Sequence, residues 1–321
     1  MSTIPSHLKQ PEFLTVCLPD GRRLGLTRYG NPAHPAVLFH HGFGSSSFDI
    51  PPCAALLDRL GMQILAPDRP GVGPSDLDSR MSFRSVAADA VFALDALGIT
   101  GPVGVLGWSV GGLHALALAA LYPQRVAALH LLSTTLPLSP PFQKHLSWPW
   151  KLIREILCRL PGVVRAVFAG LSRRWARDPD GTIDLLIRGM WRAEQVITEH
   201  PPVRALLRDA AARAFTHQGL GLYYESLAWC RPLDFRLADV RCPTLVWHGE
   251  ADGVWGPDNI PYFTGCIPGA KLRLLPHAGH ILYLPHWDDI LTELREDARR
   301  PHTLNSPAVL STETIVTLYH Q

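Results

Sequence analysis

The chain has 321 residues, of which 47% are apolar and 18% charged, which excludes an intrinsically disordered polypeptide. Its 30 basic and 28 acidic residues leave a formal charge of only +2, so there is no electrostatic footprint for nucleic acid. Six scattered cysteines (Cys17, Cys53, Cys158, Cys230, Cys242 and Cys266) form no C-x-x-C pair, and reduced thiols are expected rather than a disulfide framework.

The opening stretch, MSTIPSHLKQPEF, lacks the apolar centre of a signal peptide, so a cytoplasmic location is expected. Phe13–Leu18 and Arg22–Tyr29 flank Pro19-Asp20-Gly21 and read as a β-hairpin. A short apolar run at Ala36–Phe39 ends at His40-His41-Gly42. Helical spacing follows over Phe48–Leu60, and a second short run, Met62–Ala66, ends in Pro67-Asp68-Arg69-Pro70-Gly71. Ser82–Leu97 is periodic and helical and stops at Gly98.

From Thr100 to Gln124 there is no Lys, Arg, Asp or Glu. By hydropathy alone this run is a candidate membrane span. The glycines and serine inside it favour a different division. Pro102–Leu106 reads as a strand, Gly107-Trp108-Ser109-Val110-Gly111-Gly112 as a tight turn, and the Ala/Leu-rich Leu113–Leu121 as a buried helix. Val126–Leu132 is the next strand.

Between Leu136 and about Phe235 the character changes. Prolines 137, 140, 141 and 149 break its start, and amphipathic segments follow around Lys151–Leu160, Val163–Trp175, Ile183–Trp191 and Val203–Phe215. From Lys144 to Arg213 there are 13 Lys/Arg against 7 Asp/Glu, and five of the nine tryptophans lie in this region. It reads as an inserted helical subdomain. Afterwards the alternation resumes: a strand at Thr244–Trp247, a helix at Asp258–Cys266, a strand at Lys271–Leu275 and a closing helix at Leu284–Glu296. This order predicts an α/β protein with a mainly parallel, doubly wound sheet. Its core is expected over 1–135 and 236–297, a helical cap insertion over 136–235 and a loosely attached tail over 298–321.

Four signals carry chemistry, each just after a predicted strand. The first is Gly107-x-Ser109-x-Gly111. A serine on a sharp strand-to-helix turn needs small neighbours, and the turn aims its hydroxyl out of the sheet at a helix N-terminus. The second is His41-Gly42-Phe43-Gly44, a glycine-rich turn that could offer a backbone N–H to a developing anion. The third is Asp252 in His-Gly-Glu-Ala-Asp, and the fourth is His280 in His-Ala-Gly-His. A serine hydroxyl becomes a nucleophile when a neutral imidazole takes its proton and a carboxylate orients that imidazole.

These pieces, with Asp-Arg-Pro-Gly-Val-Gly-Pro-Ser at 68–75, make the chain resemble the α/β-hydrolase superfamily over roughly Leu14–Leu294. The resemblance implies Ser109 as nucleophile, Asp252 as acid and His280 as base, with the backbone N–H groups of Phe43 and Val110 as oxyanion hole. It also implies that the helical insertion is the family's cap, between the sixth strand and the seventh. A serine at 109 disfavours the epoxide-hydrolase and dehalogenase chemistries of that superfamily, which use an aspartate. Glu250 and Asp258 compete for the acid role, and His277 and His286 for the base; family spacing favours Asp252 and His280. His40 and His41 read as structural, and Asp68 and Arg69 as a structural ion pair or loop brace. Trp108 and Trp255 are candidate pocket-lining residues.

The expected function is hydrolysis of a small-molecule ester by a soluble serine hydrolase, through an acyl-enzyme and without a cofactor. No metal-ligand spacing and no nucleotide motif stands out. The same residues would serve amide or C–C bond hydrolysis, acyl transfer or perhydrolysis, and the fold also supports small-molecule receptors. The basic excess of the insertion reads first as solvated helix faces. Attraction of anionic or acyl-carrier-bound substrates, and contact with a membrane surface, are the other two readings.

Overall fold

The computed structural model describes residues 11–190 and 192–300. The first ten residues, on which the leader reading rests, and the expected tail beyond 300 lie outside the described residues. Eight strands form a single sheet: β1 (Glu12–Cys17), β2 (Arg23–Gly30), β3 (Ala36–His40), β4 (Gln63–Pro67), β5 (Val103–Trp108), β6 (Val126–Leu132), β7 (Thr244–Gly249) and β8 (Lys271–Leu275). Their order is β1-β2-β4-β3-β5-β6-β7-β8. The hairpin β1–β2 adds to β4 antiparallel, and β3 through β8 pair parallel. Every residue of β3, β4, β5, β6 and β7 is buried. That is the reason these strands read as unbroken apolar runs: a parallel sheet covered on both faces has no side for polar residues.

On one face lie α2 (Phe83–Ala96) and α3 (Gly111–Leu121), and on the other α1 (Ala54–Leu60) and α11 (Trp287–Arg299). Ser82 caps α2 through a capping box with Ser85, an arrangement worth about 1 kcal/mol. The uncharged run that hydropathy offered as a membrane span is β5, a turn and α3. No helix among the described residues is long and apolar enough to cross a membrane.

The single helix expected over Phe48–Leu60 is instead a 3-10 turn at Ser47–Asp49 followed by α1. Pro51 and Pro52 lie between them and donate no backbone hydrogen bond. Between β6 and β7 the chain forms α4 (Trp148–Arg159), α5 (Pro161–Arg177), α6 (Pro179–Arg188), α7 (Arg192–Thr198), α8 (Pro201–Ala214) and α9 (Leu220–Cys230). Helices α7 and α9 were not anticipated. The first has only seven residues, too short for a periodic signal. The second is Leu-, Tyr- and Trp-rich on most sides and so lacks an amphipathic period. The segment expected at Asp258–Cys266 is a 3-10 turn and α10 (Ile260–Gly265).

Candidate active site

The turn after β5 carries Ser109 at φ 54, in the left-handed region that a residue with a side chain rarely occupies. Its N–H donates to the Leu132 carbonyl at 2.9 Å, and its carbonyl accepts from Thr135 at 3.3 Å, so the end of β6 and the loop after it hold the strained conformation. The glycine spacing has a steric cause. A Cβ at Gly107 would lie 2.6 Å from the Gly111 carbonyl oxygen, and one at Gly111 would collide with the His40 and His41 carbonyls. The serine is only 9% exposed.

The loops after β7 and β8 bring two more side chains to it. His280 Nε2 lies 3.0 Å from Ser109 Oγ, and His280 Nδ1 lies 2.9 Å from Asp252 Oδ2. A carboxylate can only accept, so the imidazole proton sits on Nδ1 and the Nε2 lone pair faces the serine hydroxyl. Asp252 Oδ1 accepts from the N–H groups of Val254 and Trp255, both at 2.9 Å. Burial works against ionisation of Asp252, but the facing His280 ring, then His248 and the Trp255 N–H, outweigh it and hold the carboxyl below its ordinary value. The competitors are elsewhere. Glu250, Asp258 and His277 are exposed, and His286 stands at the start of α11, 3.9 Å from Asp289.

On the other side of Ser109 lies the turn after β3. Among the described residues, neither the Phe43 nor the Val110 backbone N–H donates to another protein group. The turn is held from beneath by Arg69, 1% exposed, which donates to the carbonyls of His41 at 2.6 Å and Gly42 at 2.8 Å. Its Nε is paired with Glu225 of α9 at 2.6 Å. His41 Nε2 accepts from the Arg69 N–H, which leaves Nδ1 to donate to the Gly42 carbonyl. Burial, then the Arg69 charge, hold the His41 pKa well below the ordinary histidine value. Its part is that of a neutral brace, as the sequence suggested. Asp68 is paired with a different partner, Arg213 of α8, at 2.6 Å, and accepts from the Ser47 N–H at 2.7 Å. The expected ion pair is therefore two pairs, each tying the core to the inserted helices.

Asp49 closes the underside of this turn, accepting from Ser45 Oγ and, at 3.4 Å, from the Gly42 N–H. Complete burial pushes its carboxyl up to about 7, against an unperturbed 3.8. Between those values the native carboxyl keeps a proton that the unfolded chain has released. Stability therefore falls as pH rises through this window, by up to about 1.4 kcal/mol per pH unit from this group. Asp49→Asn is expected to flatten that slope. Urea midpoints at about pH 5 and about pH 8 measure it, and an unaltered slope in the variant would refute the assignment to Asp49.

The two tryptophans proposed as lining are both buried in aromatic clusters. Trp108 donates from Nε1 to the His280 carbonyl at 3.0 Å and packs against Tyr283. Trp255 stacks on Trp150 of α4 at 4.1 Å, with its backbone N–H on Asp252. Glu194 of α7 was not found from sequence. Its Oε1 accepts from the His280 backbone N–H, its Oε2 has no hydrogen-bond partner among the described residues, and burial raises its pKa. Arg213, Glu225 and Glu194 carry no local motif. Their partners are 145, 156 and 86 residues away in the chain, so only the folded arrangement selects them from the other charges of the insertion.

Residues 35–286 match the profile of a family described as alpha/beta hydrolase fold. The chain is 28% identical over 270 residues to the pimeloyl-[acyl-carrier protein] methyl ester esterase of Chromobacterium violaceum, covering 82% of this chain and 93% of that protein. It is also 28% identical over 278 residues to polyketide synthase ThaQ of Burkholderia thailandensis; that stretch is 84% of this chain but only 12% of the synthase. Among solved structures, the enol-lactonase of Burkholderia xenovorans LB400 superposes with a TM-score of 0.67 at 22% identity, over 89% of this chain and all of that one.

Proposed function

The chain belongs to the α/β-hydrolase fold family, and we propose that within it the protein is a serine esterase acting through Ser109, His280 and Asp252. The reading rests on one observation above the others: the unbroken run of contacts from Ser109 Oγ to His280 at 3.0 Å and from His280 to Asp252 at 2.9 Å. His280 accepts the serine proton as Oγ attacks the ester carbonyl, and Asp252 stabilises the imidazolium. The N–H groups of Phe43 and Val110 receive the oxyanion, an interaction whose loss typically costs ~3 kcal/mol at the transition state. The imidazolium then protonates the leaving alcohol, and a water deprotonated by His280 releases the acid from the acyl-enzyme. The described residues of 136–235 act as a cap over a core formed by those of 1–135 and 236–297. With them in place the serine is only 9% exposed, and water is excluded from it. Similarity to an esterase of acyl-carrier-bound methyl esters supports a carboxylic ester as the substrate class.

A fluorophosphonate probe and p-nitrophenyl esters of short and medium chain length test the reading together. Wild type is expected to be labelled on Ser109 and to turn over at least one ester. Asp252→Asn should lower kcat by about 10⁴-fold, because the imidazole then loses its required tautomer. A wild-type protein that is neither labelled nor active, or one labelled on another serine, would sink the proposal. Tight ligand binding with no turnover would point to a receptor instead.

A further inference from the structure

Helix α4 carries apolar side chains on two sides, one of them facing outward. Its inner side packs through Trp150 and Leu157, and Trp150 Nε1 donates to the Val254 carbonyl at 2.7 Å. The outer side of a helix facing water is ordinarily charged or polar. Here Trp148 is 75% exposed, and Leu152, Ile153 and Ile156 stand out at 53%, 38% and 38%. At 100° per residue these four side chains occupy one sector of about 140°. No residue of α4 is buried. The pattern continues past its end, where Leu160 and then Val163 and Val167, four residues apart in α5, are about half exposed.

The chain segment that carries this apolar face is predominantly basic. From Lys144 to Arg177 the chain has eight Lys/Arg and a single acidic residue, Glu155. That carboxylate is already engaged by Arg154 and Arg159, while Lys151 and Arg165 point into solvent.

We propose that α4 and the start of α5 dock on an anionic lipid surface. The apolar sector enters the boundary between headgroups and acyl chains, and the flanking Lys and Arg face the lipid phosphates. Three features select this occupant. A second copy would bring two basic segments together. An acidic protein would need a groove to receive a convex helix face, whereas a lipid surface needs no matching shape. Tryptophan, with an apolar ring and one N–H donor, is also the side chain suited to that boundary. The docking goes beyond the esterase reading and does not depend on it.

The full chain is sedimented with vesicles of phosphatidylcholine and with vesicles also holding phosphatidylglycerol. It is expected to pellet with the anionic vesicles at least about tenfold more strongly, and to be released as salt is raised. The double variant Trp148→Ser/Ile156→Ser should lower that partition about tenfold or more, with an unchanged circular dichroism spectrum. Lys151→Gln/Arg159→Gln should weaken the preference for anionic over neutral vesicles. Wild type that stays in the supernatant with both vesicles overturns the proposal, as does a Trp148/Ile156 variant that pellets like wild type. Binding to an acidic carrier protein without vesicle binding would assign the face to a protein. A wild-type dimer that the same variant converts to monomer, without vesicle binding, would assign it to a second copy. Because the readout is sedimentation, failure of the esterase reading leaves this result standing.

Discussion

Ser109→Ala is expected to lower kcat on a p-nitrophenyl ester by about 10⁵- to 10⁶-fold and to abolish labelling by a fluorophosphonate. The substitution removes one oxygen and nothing else that the fold needs. Serine and alanine bear the same steric penalty at φ 54, so the strained turn is no worse in the variant. The Ser109 N–H and carbonyl bonds to Leu132 and Thr135 are backbone groups and survive. What is lost is the oxygen that stands 3.0 Å from His280 Nε2. The variant should therefore melt within a few degrees of wild type, a shift corresponding to less than about 1 kcal/mol in a chain of this size. A small residual rate over water should remain, since the proposed oxyanion donors, the N–H groups of Phe43 and Val110, are untouched by the substitution. If the variant kept about a tenth of wild-type turnover with a normal melting curve, another group would have to be the nucleophile.

The second large effect is expected at Arg69. Its guanidinium is 1% exposed, donates to the His41 and Gly42 carbonyls and forms an ion pair with the Glu225 carboxylate. Arg69→Met takes its donor from the buried His41 carbonyl and leaves the Gly42 carbonyl with His41 Nδ1 in place of two donors. It also leaves Glu225, itself 2% exposed, with only His114, at 3.3 Å, among the described residues. An uncompensated buried charge of this kind costs about 3–5 kcal/mol. Catalysis should suffer as well, because the carbonyls that Arg69 holds belong to the turn presenting the Phe43 N–H. A misplaced oxyanion donor lowers kcat by about 10²- to 10³-fold. The double variant Arg69→Met/Glu225→Met should lose less stability than the sum of the two single variants, since no lone charge then remains buried. Urea midpoints and kcat for the three variants decide it. Strictly additive stability losses would mean that Arg69 and Glu225 do not act as a pair.

The active-site candidates were legible in the sequence to an unequal degree. Ser109 stood out because the turn beneath it leaves no room for a Cβ at Gly107 or Gly111, and that steric demand is written locally as a spacing. Asp252 and His280 could be ordered behind their strands, although Glu250, Asp258, His277 and His286 were equally good by residue type. Tertiary geometry separates them: the loops after β7 and β8 turn Asp252 and His280 toward Ser109 and leave Glu250, Asp258 and His277 in solvent. Trp108 and Trp255 were visible as neighbours of these residues. Their places, under the His280 carbonyl and beside the Asp252 carboxylate, depend on rings contributed by Tyr283 and Trp150.

By itself the sequence determined the architecture of the sheet and the reading of its uncharged run. Both follow from near-neighbour rules: a strand buried on two faces must be apolar throughout, and a helix at a tight turn must begin with small residues. Only the tertiary structure decided the partners of the buried charges. Asp68 joins Arg213, Arg69 joins Glu225 and Glu194 reaches the His280 N–H, each across 86 residues of chain or more. Coulombic attraction and desolvation act through space, and nothing in the local pattern distinguishes one arginine of the insertion from another. The orientation of α4 was decided in the same way. Its period marked an amphipathic helix, but which face meets the protein depends on how Trp150 packs against Trp229 and Trp255, and that packing turns the other apolar face outward.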